Sequence, residues 1–140
     1  MAGILKTDII AENTSANGVA IEGNTFKDGA LSNLLTFEVL TGATDAITVA
    51  NGAVVLARAG NVDAATLALP SAAQNGMEMI ITTGTDYAHT ITFASNGVKD
   101  GTTGNHQTAT FAAFAGASLH IVAYNQLWHR IGGNLCTLTA

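Results

Sequence analysis

The sequence predicts an all-β protein, and three observations carry that expectation. Short runs rich in Val, Ile, Thr and aromatic residues recur along most of the chain, Gly paired with Asn or Asp punctuates them at close intervals, and no long stretch keeps a helical period with caps. Thr alone occurs 19 times, and β-branched side chains suit a pleated, half-buried surface better than a helix.

The first element is an arm, residues 1–33. Ile4, Leu5, Ile9, Ile10, Val19, Ile21 and Phe26 stand there as isolated apolar singles or pairs among Asn, Asp, Glu and Gly. Strands of two or three residues leave most backbone groups without partners, so the arm is expected to pair with other chains. Gly18, Gly23 and Gly29 fall five or six residues apart, where they let the backbone turn sharply or approach another closely. An unstructured tail is the plain alternative.

The second element is a domain over 34–140, expected as an antiparallel β-sandwich or barrel. Its strands are placed at 34–40, 46–50, 53–58, 66–69, 77–83, 88–93, 108–114, 118–124 and 127–132. Asn51-Gly52, Asn75-Gly76, Asn96-Gly97 and Asp100-Gly101 read as tight turns, because these residues tolerate positive φ, and their spacing suggests a meander or Greek key. Residues 62–75 could hold a helical turn or a strand, with Pro70 limiting any helix. A two-residue turn at Asn125-Gln126 would pair Tyr124 with Leu127 and Val122 with His129. One hairpin face then carries His120, Val122, Tyr124, Leu127, His129 and Ile131, and the other Leu119, Ile121, Ala123, Trp128 and Arg130. Neither face is cleanly polar, so a subunit contact is expected through His120, Val122, Tyr124, Leu127, Trp128 and His129.

Composition narrows the function. The 140 residues suffice for one domain and a short arm. Apart from Ala and Cys the chain has only 41 large apolar side chains, which predicts a thin core of the kind that oligomerisation supplements. Cys136 is the only cysteine, so no disulfide forms within the chain, and the residue reads as a small buried apolar group. The chain lacks an apolar run of membrane-spanning length and begins without a signal-peptide pattern; no membrane partner and a cytosolic origin are expected. Five scattered Lys and Arg against a net charge of −5 make nucleic acid a poor partner.

No catalytic, cofactor or metal set emerges. His120 and His129 lie diagonal on one hairpin face, but without an acidic or thiol ligand nearby in sequence. His89 and His106 have less support still. Gly116-Ala117-Ser118-Leu119-His120 lacks the second glycine and the strand-to-helix turn of a nucleophile elbow, so Ser118 reads as structural. The loop 95–105 offers Asp100 and Asn105 without the ordered carboxylates of a calcium loop. The expectation is a protein that is not an enzyme and needs no cofactor.

The stretch TSANGVAIEGNTFKDG resembles a motif of tailed-bacteriophage virion structural proteins, in which Thr precedes a Gly-Val-x-Ile-acid-Gly turn and then Lys-Asp-Gly. Thr14, Gly18, Val19, Ile21, Glu22, Gly23, Lys27, Asp28 and Gly29 carry the match. The family more often has Asp at Glu22 and an apolar residue at Asn24. The strand, loop and Leu-Pro pattern of residues 52–83, with AHTITF and SLHIVAYNQLWHRIGG, is similar to β domains of phage virion proteins. The resemblance covers most of the chain and implies a homotrimer whose arms intertwine, with Ile9, Ile10, Gly18, Val19, Ile21, Gly23, Phe26 and Gly29 as trimer or attachment residues.

The implied function is a capsid decoration, or cement, protein, made in the bacterial host cytoplasm and bound to the capsid exterior. Its partners would be its own copies and the major capsid protein, and it would stabilise the shell after DNA packaging. An acidic surface suits the outside of a shell better than its DNA-lined interior. The alternative is a trimeric tail-fibre or head-fibre protein that binds host-surface glycan through the loops 84–87 and 95–105.

Overall fold

The computed structural model describes residues 19–21, 24–27, 30–32, 35–102 and 104–140. The chain divides into two compact units, 1–34 and 35–140. In the first, β1 (Val19–Ile21), β2 (Asn24–Lys27) and β3 (Ala30–Ser32) form a three-stranded antiparallel sheet. Val19 opposes Phe26, which also opposes Leu31. These strands thus find backbone partners within their own chain, where the sequence reading looked to other chains. Ile9, Ile10, Gly18, Gly23 and Gly29 lie outside the described residues.

The second unit holds β4 (Thr36–Leu40), β5 (Ala46–Ile47), β6 (Gly52–Leu56), β7 (Ala64–Leu67), β8 (Glu78–Thr83), β9 (Thr90–Phe93), β10 (Val98–Lys99), β11 (Thr108–Phe111), β12 (Ser118–Tyr124), β13 (Leu127–Asn134) and β14 (Cys136–Thr139). They form a six-stranded sheet in the order β10-β13-β12-β8-β6-β4 and a five-stranded sheet in the order β14-β11-β9-β7-β5. The segment 62–75 resolves into β7 and a single 3-10 turn at Ala72–Gln74.

The all-β expectation holds, but the purely antiparallel one does not. β4, β6 and β8 are parallel neighbours in one sheet, and β5, β7 and β9 are parallel neighbours in the other. From β4 to β9 the chain changes sheet at every strand, so it coils around the core instead of folding back beside itself. Antiparallel pairing begins after β9, linking β9 to β11, β11 to β14, β8 to β12 and β12 to β13.

The glycine turns do not close hairpins here. Gly76 and Gly101 do adopt positive φ, at 85° and 92°, yet their turns carry the chain between sheets. The asparagines bond sideways as well: Asn51 Oδ1 accepts the Glu78 N–H at 2.9 Å, and Asn75 Oδ1 accepts the Asn125 N–H at 2.9 Å. Among the described residues of the 35–140 unit, only Asn125-Gln126, with φ of 50° and 60°, closes a two-residue hairpin as expected, pairing Tyr124 with Leu127 and Val122 with His129.

Alternation along the strands builds one core between the sheets. Leu40, Val54, Leu56, Met79, Ile81, Leu119, Ile121 and Trp128 enter it from the six-stranded sheet, and Ile47, Leu67, Ile91, Phe93, Phe111 and Leu138 from the other. Trp128, expected at a subunit contact, is fully buried there, and its indole N–H donates to the Ala68 carbonyl at 2.9 Å. Cys136 is also buried, which pushes its thiol up to about 11, so it stays a protonated packing residue at neutral pH.

Candidate functional site: an apolar sheet face

The outward faces of the two sheets differ in chemistry. On the five-stranded sheet, one row across the strands runs Ala46, Thr66, Thr92, Thr108 and Thr139, and the next runs Ala64, Thr90, Thr110 and Thr137. This is the hydroxylated, solvent-compatible face that an exposed sheet normally presents. The six-stranded sheet presents Phe37, Ala53, Ile80 and His120 in one row and Val39, Val55, Thr82, Ser118 and Asn134 in the next. Glu78, Val122 and His129 form a third row.

That face is apolar and open. Phe37 is 70 % exposed, Tyr124 64 %, and Leu35, Val39, Ile80 and Ile131 about half or more. Each keeps its place because its strand neighbours, Leu40, Val54, Ile81, Ile121 and Trp128, are anchored in the core on the opposite side. A groove of about 490 Å³ opens beside β4, lined by Leu35, Phe37, Asn51, Ala53, Glu78 and Ile80 among others. Among the described residues β4 forms the edge of the sheet, and an apolar edge strand is a natural site of further strand pairing.

The polar groups on the face partner one another. His120 Nε2 lies 3.2 Å from Glu78 Oε2, and the Tyr124 and His129 rings meet edge to face at 5.7 Å between centroids. Sequence distance hid the first pair, since Glu78 and His120 are 42 residues apart. His120, Val122, Tyr124, Leu127 and His129 therefore share one outward face, as the hairpin register implies, while Trp128 points away from it. His120 is taken by Glu78 and His129 by Tyr124, and no group of three metal-ligating side chains occurs among the described residues. In the loop 95–105, hydrogen bonds from the Thr102 hydroxyl and N–H hold the Asp100 carboxyl down at about 2, and His106 Nε2 sits 3.0 Å from it.

A second polar cluster lies inside the domain. His89 is fully buried; its Nδ1 accepts the Asp63 backbone N–H at 2.9 Å, and its Nε2 lies 2.8 Å from Thr85 Oγ1. A backbone N–H can only donate, so the ring proton sits on Nε2 and points at Thr85, whose hydroxyl donates to the Arg58 carbonyl at 3.1 Å. The trio looks like a hydroxyl, histidine and carboxylate array but runs in the wrong direction for catalysis: the imidazole has no free lone pair to take a proton from Thr85. It is a strut joining the segments 58–63 and 85–89.

Burial lowers the His89 pKa and raises that of Asp63, a fully buried carboxylate whose desolvation the nearby Asp45 backbone offsets only in part. The signs give a testable pH dependence. Below about pH 6.5 the unfolded chain protonates His89 while the folded chain resists. The stability from neutral His89 is therefore whole above that pH and is lost as pH falls through the window below it. Asp63 opposes this, since its folded form binds a proton more readily than the unfolded one, so acidification relieves its burial. The melting temperature should fall as pH drops from 7 to 4, His89→Gln should flatten the slope, and Asp63→Asn, which removes the opposing group whose window opens upward from its ordinary value of 3.8, should steepen it. One proton contributes at most about 1.4 kcal/mol per pH unit, and thermal melts across that range check the three slopes.

No family model matches the chain, and none of the curated proteins compared with it matches either.

Proposed function

We propose that this chain is a phage capsid decoration protein: a homotrimer on the outer surface of the shell that contacts the major capsid protein and stabilises the shell after DNA packaging. The observation that supports this reading best is the apolar face of the six-stranded sheet. An acidic β domain that turns Phe37, Val39, Ile80 and Tyr124 outward on one side and threonine on the other is built to lie against protein. The phage-like motif at Thr14 to Gly29 points to the same class. The function is mechanical: each bound copy adds contacts that must break before the shell opens.

The test adds purified chain to shells that lack it. Bound at about 100 times its Kd, each copy contributes about 2.7 kcal/mol to the state it binds, so the temperature at which shells release DNA should rise and saturate with added protein. A chain without residues 1–31 should lose this effect. Unchanged shell opening at saturating protein would refute the proposal.

A trimeric tail-fibre or head-fibre protein binding host glycan is the second reading. The groove beside β4 favours it, because Phe37 with Asn51 and Glu78 combines an aromatic platform with polar groups suited to a sugar. Retention on host cells, with no effect on shells, would select this reading.

A further inference from the structure

We infer that the outward face of the six-stranded sheet is where copies of this chain meet, with Phe37 and Ile80 at the centre of the contact. This rests on the reading that the chain assembles, and it names the partner of the apolar face: a second copy, not the shell protein.

Charge carries the choice of partner. The whole chain is at −5, so two copies repel over most of their surfaces. This face is the exception. Its full charges are Glu78 and, at the β10 edge, Lys99, which cancel, and the two histidines already contact Glu78 and Tyr124. A face without net charge offers nothing to steer a charged partner, whereas copies can approach through it without penalty. The threonine face supplies the contrast: this sequence makes a solvent-facing five-stranded sheet with hydroxyls at nearly every outward position, and departs from that rule on the six-stranded sheet.

Size agrees. Six large side chains half to two-thirds exposed amount to roughly 500 Å² of apolar surface, before the half-buried Val55, Val122 and Leu127 and the rim are added. Stable interfaces bury about 800 Å² per partner. One continuous face per copy is buried in a closed ring by turning it to the common axis, which leaves the threonine sheet outside.

The experiment is light scattering after size-exclusion of the full chain, with Phe37→Lys, Ile80→Lys and, as control, Phe114→Lys, whose exposed side chain belongs to the loop between β11 and β12 and to none of the strands of this face. Wild type and Phe114→Lys should run as one oligomer at micromolar concentration. Phe37→Lys and Ile80→Lys should weaken association at least 100-fold and run as monomers with an unchanged β-sheet circular dichroism spectrum. Tyr124→Lys, on the same face, replaces either variant that fails to fold. Oligomers that survive all three face substitutions overturn the inference, as does a wild-type monomer. Lost shell binding in variants that stay oligomeric also overturns it, by assigning the face to the shell. A dimer broken by these variants supports the face and refutes the trimer, while the shell-opening assay reads the proposed function separately.

Discussion

Trp128→Ala should remove a third or more of the stability of the 35–140 domain. The side chain is fully buried in the middle of the core. Its strand lies between β10 and β12, opposing Val98 on one side and Ala123 on the other. Its backbone N–H donates to Gly97 O at 2.8 Å and its indole N–H to Ala68 O at 2.9 Å, so one residue fixes two crossings between the sheets. Truncating a buried tryptophan costs about 3–5 kcal/mol through lost transfer energy and the cavity left behind, and the Ala68 carbonyl loses its partner as well. For a domain of this size the melting temperature should drop by about 20 °C, against a total stability of order 5–15 kcal/mol. Trp128→Phe, which refills much of the cavity but restores no donor, should cost about half as much. As the chain has a single tryptophan, the variants must be followed by circular dichroism, at matched protomer concentration because assembly adds to apparent stability. A loss below about 1 kcal/mol would mean that the core does not depend on this residue.

Trp128 also shows where sequence reasoning reached and where it stopped. Strand positions of the domain other than β10 and β14 were legible from β-branched runs. The last hairpin was legible from Tyr124 and Leu127 as far as Ile121 and Arg130, because a two-residue turn sets register and register sets faces; beyond that a bulge puts His120 opposite Gly132. That register put His120, Val122, Tyr124, Leu127 and His129 together and Trp128 on the opposite side. It could not say which side faced the core, since both sides are apolar. The parallel coil was not legible for a related reason. Asn51-Gly52 and Asn75-Gly76 carry the local chemistry of hairpin turns, and a turn dipeptide does not record whether the next strand lies beside the last one or across the core from it. What separates the two cases is long-range: Asn51 and Asn75 bond Glu78 and Asn125. Even the threonine face, written as Thr90-Ile91-Thr92, Thr108-Ala109-Thr110 and Thr137-Leu138-Thr139, becomes a surface only when β9, β11 and β14 lie side by side.

Gly52→Ala should detach β4 and disrupt the proposed assembly face with it. Gly52 opposes Thr36 at the start of the β4 and β6 pairing. A Cβ there would fall on the Thr36 carbonyl oxygen and within 2.7 Å of the Thr36 nitrogen and hydroxyl. These are mainly backbone atoms, so no side-chain rotation relieves the clash. Thr36 is moreover held in place, its N–H donating to Asn51 O at 2.9 Å and its hydroxyl reaching the same oxygen at 3.1 Å. Among the described residues β4 pairs with β6 alone, and the lowest-energy escape is for the edge strand to leave. The expected cost is about 2–4 kcal/mol, the range of severe backbone and burial defects, and it should appear first as lost hydrogen-exchange protection of β4 amides while β8 and β12 stay protected. Gly104→Ala, where an added Cβ meets nothing within 4 Å, should stay within about 0.5 kcal/mol of wild type. Detached β4 takes Phe37 and Val39 out of the outward face, so Gly52→Ala should dissociate the proposed oligomer although Gly52 offers a partner no side chain. An oligomer that persists with β4 unprotected would show that the chains meet without this strand.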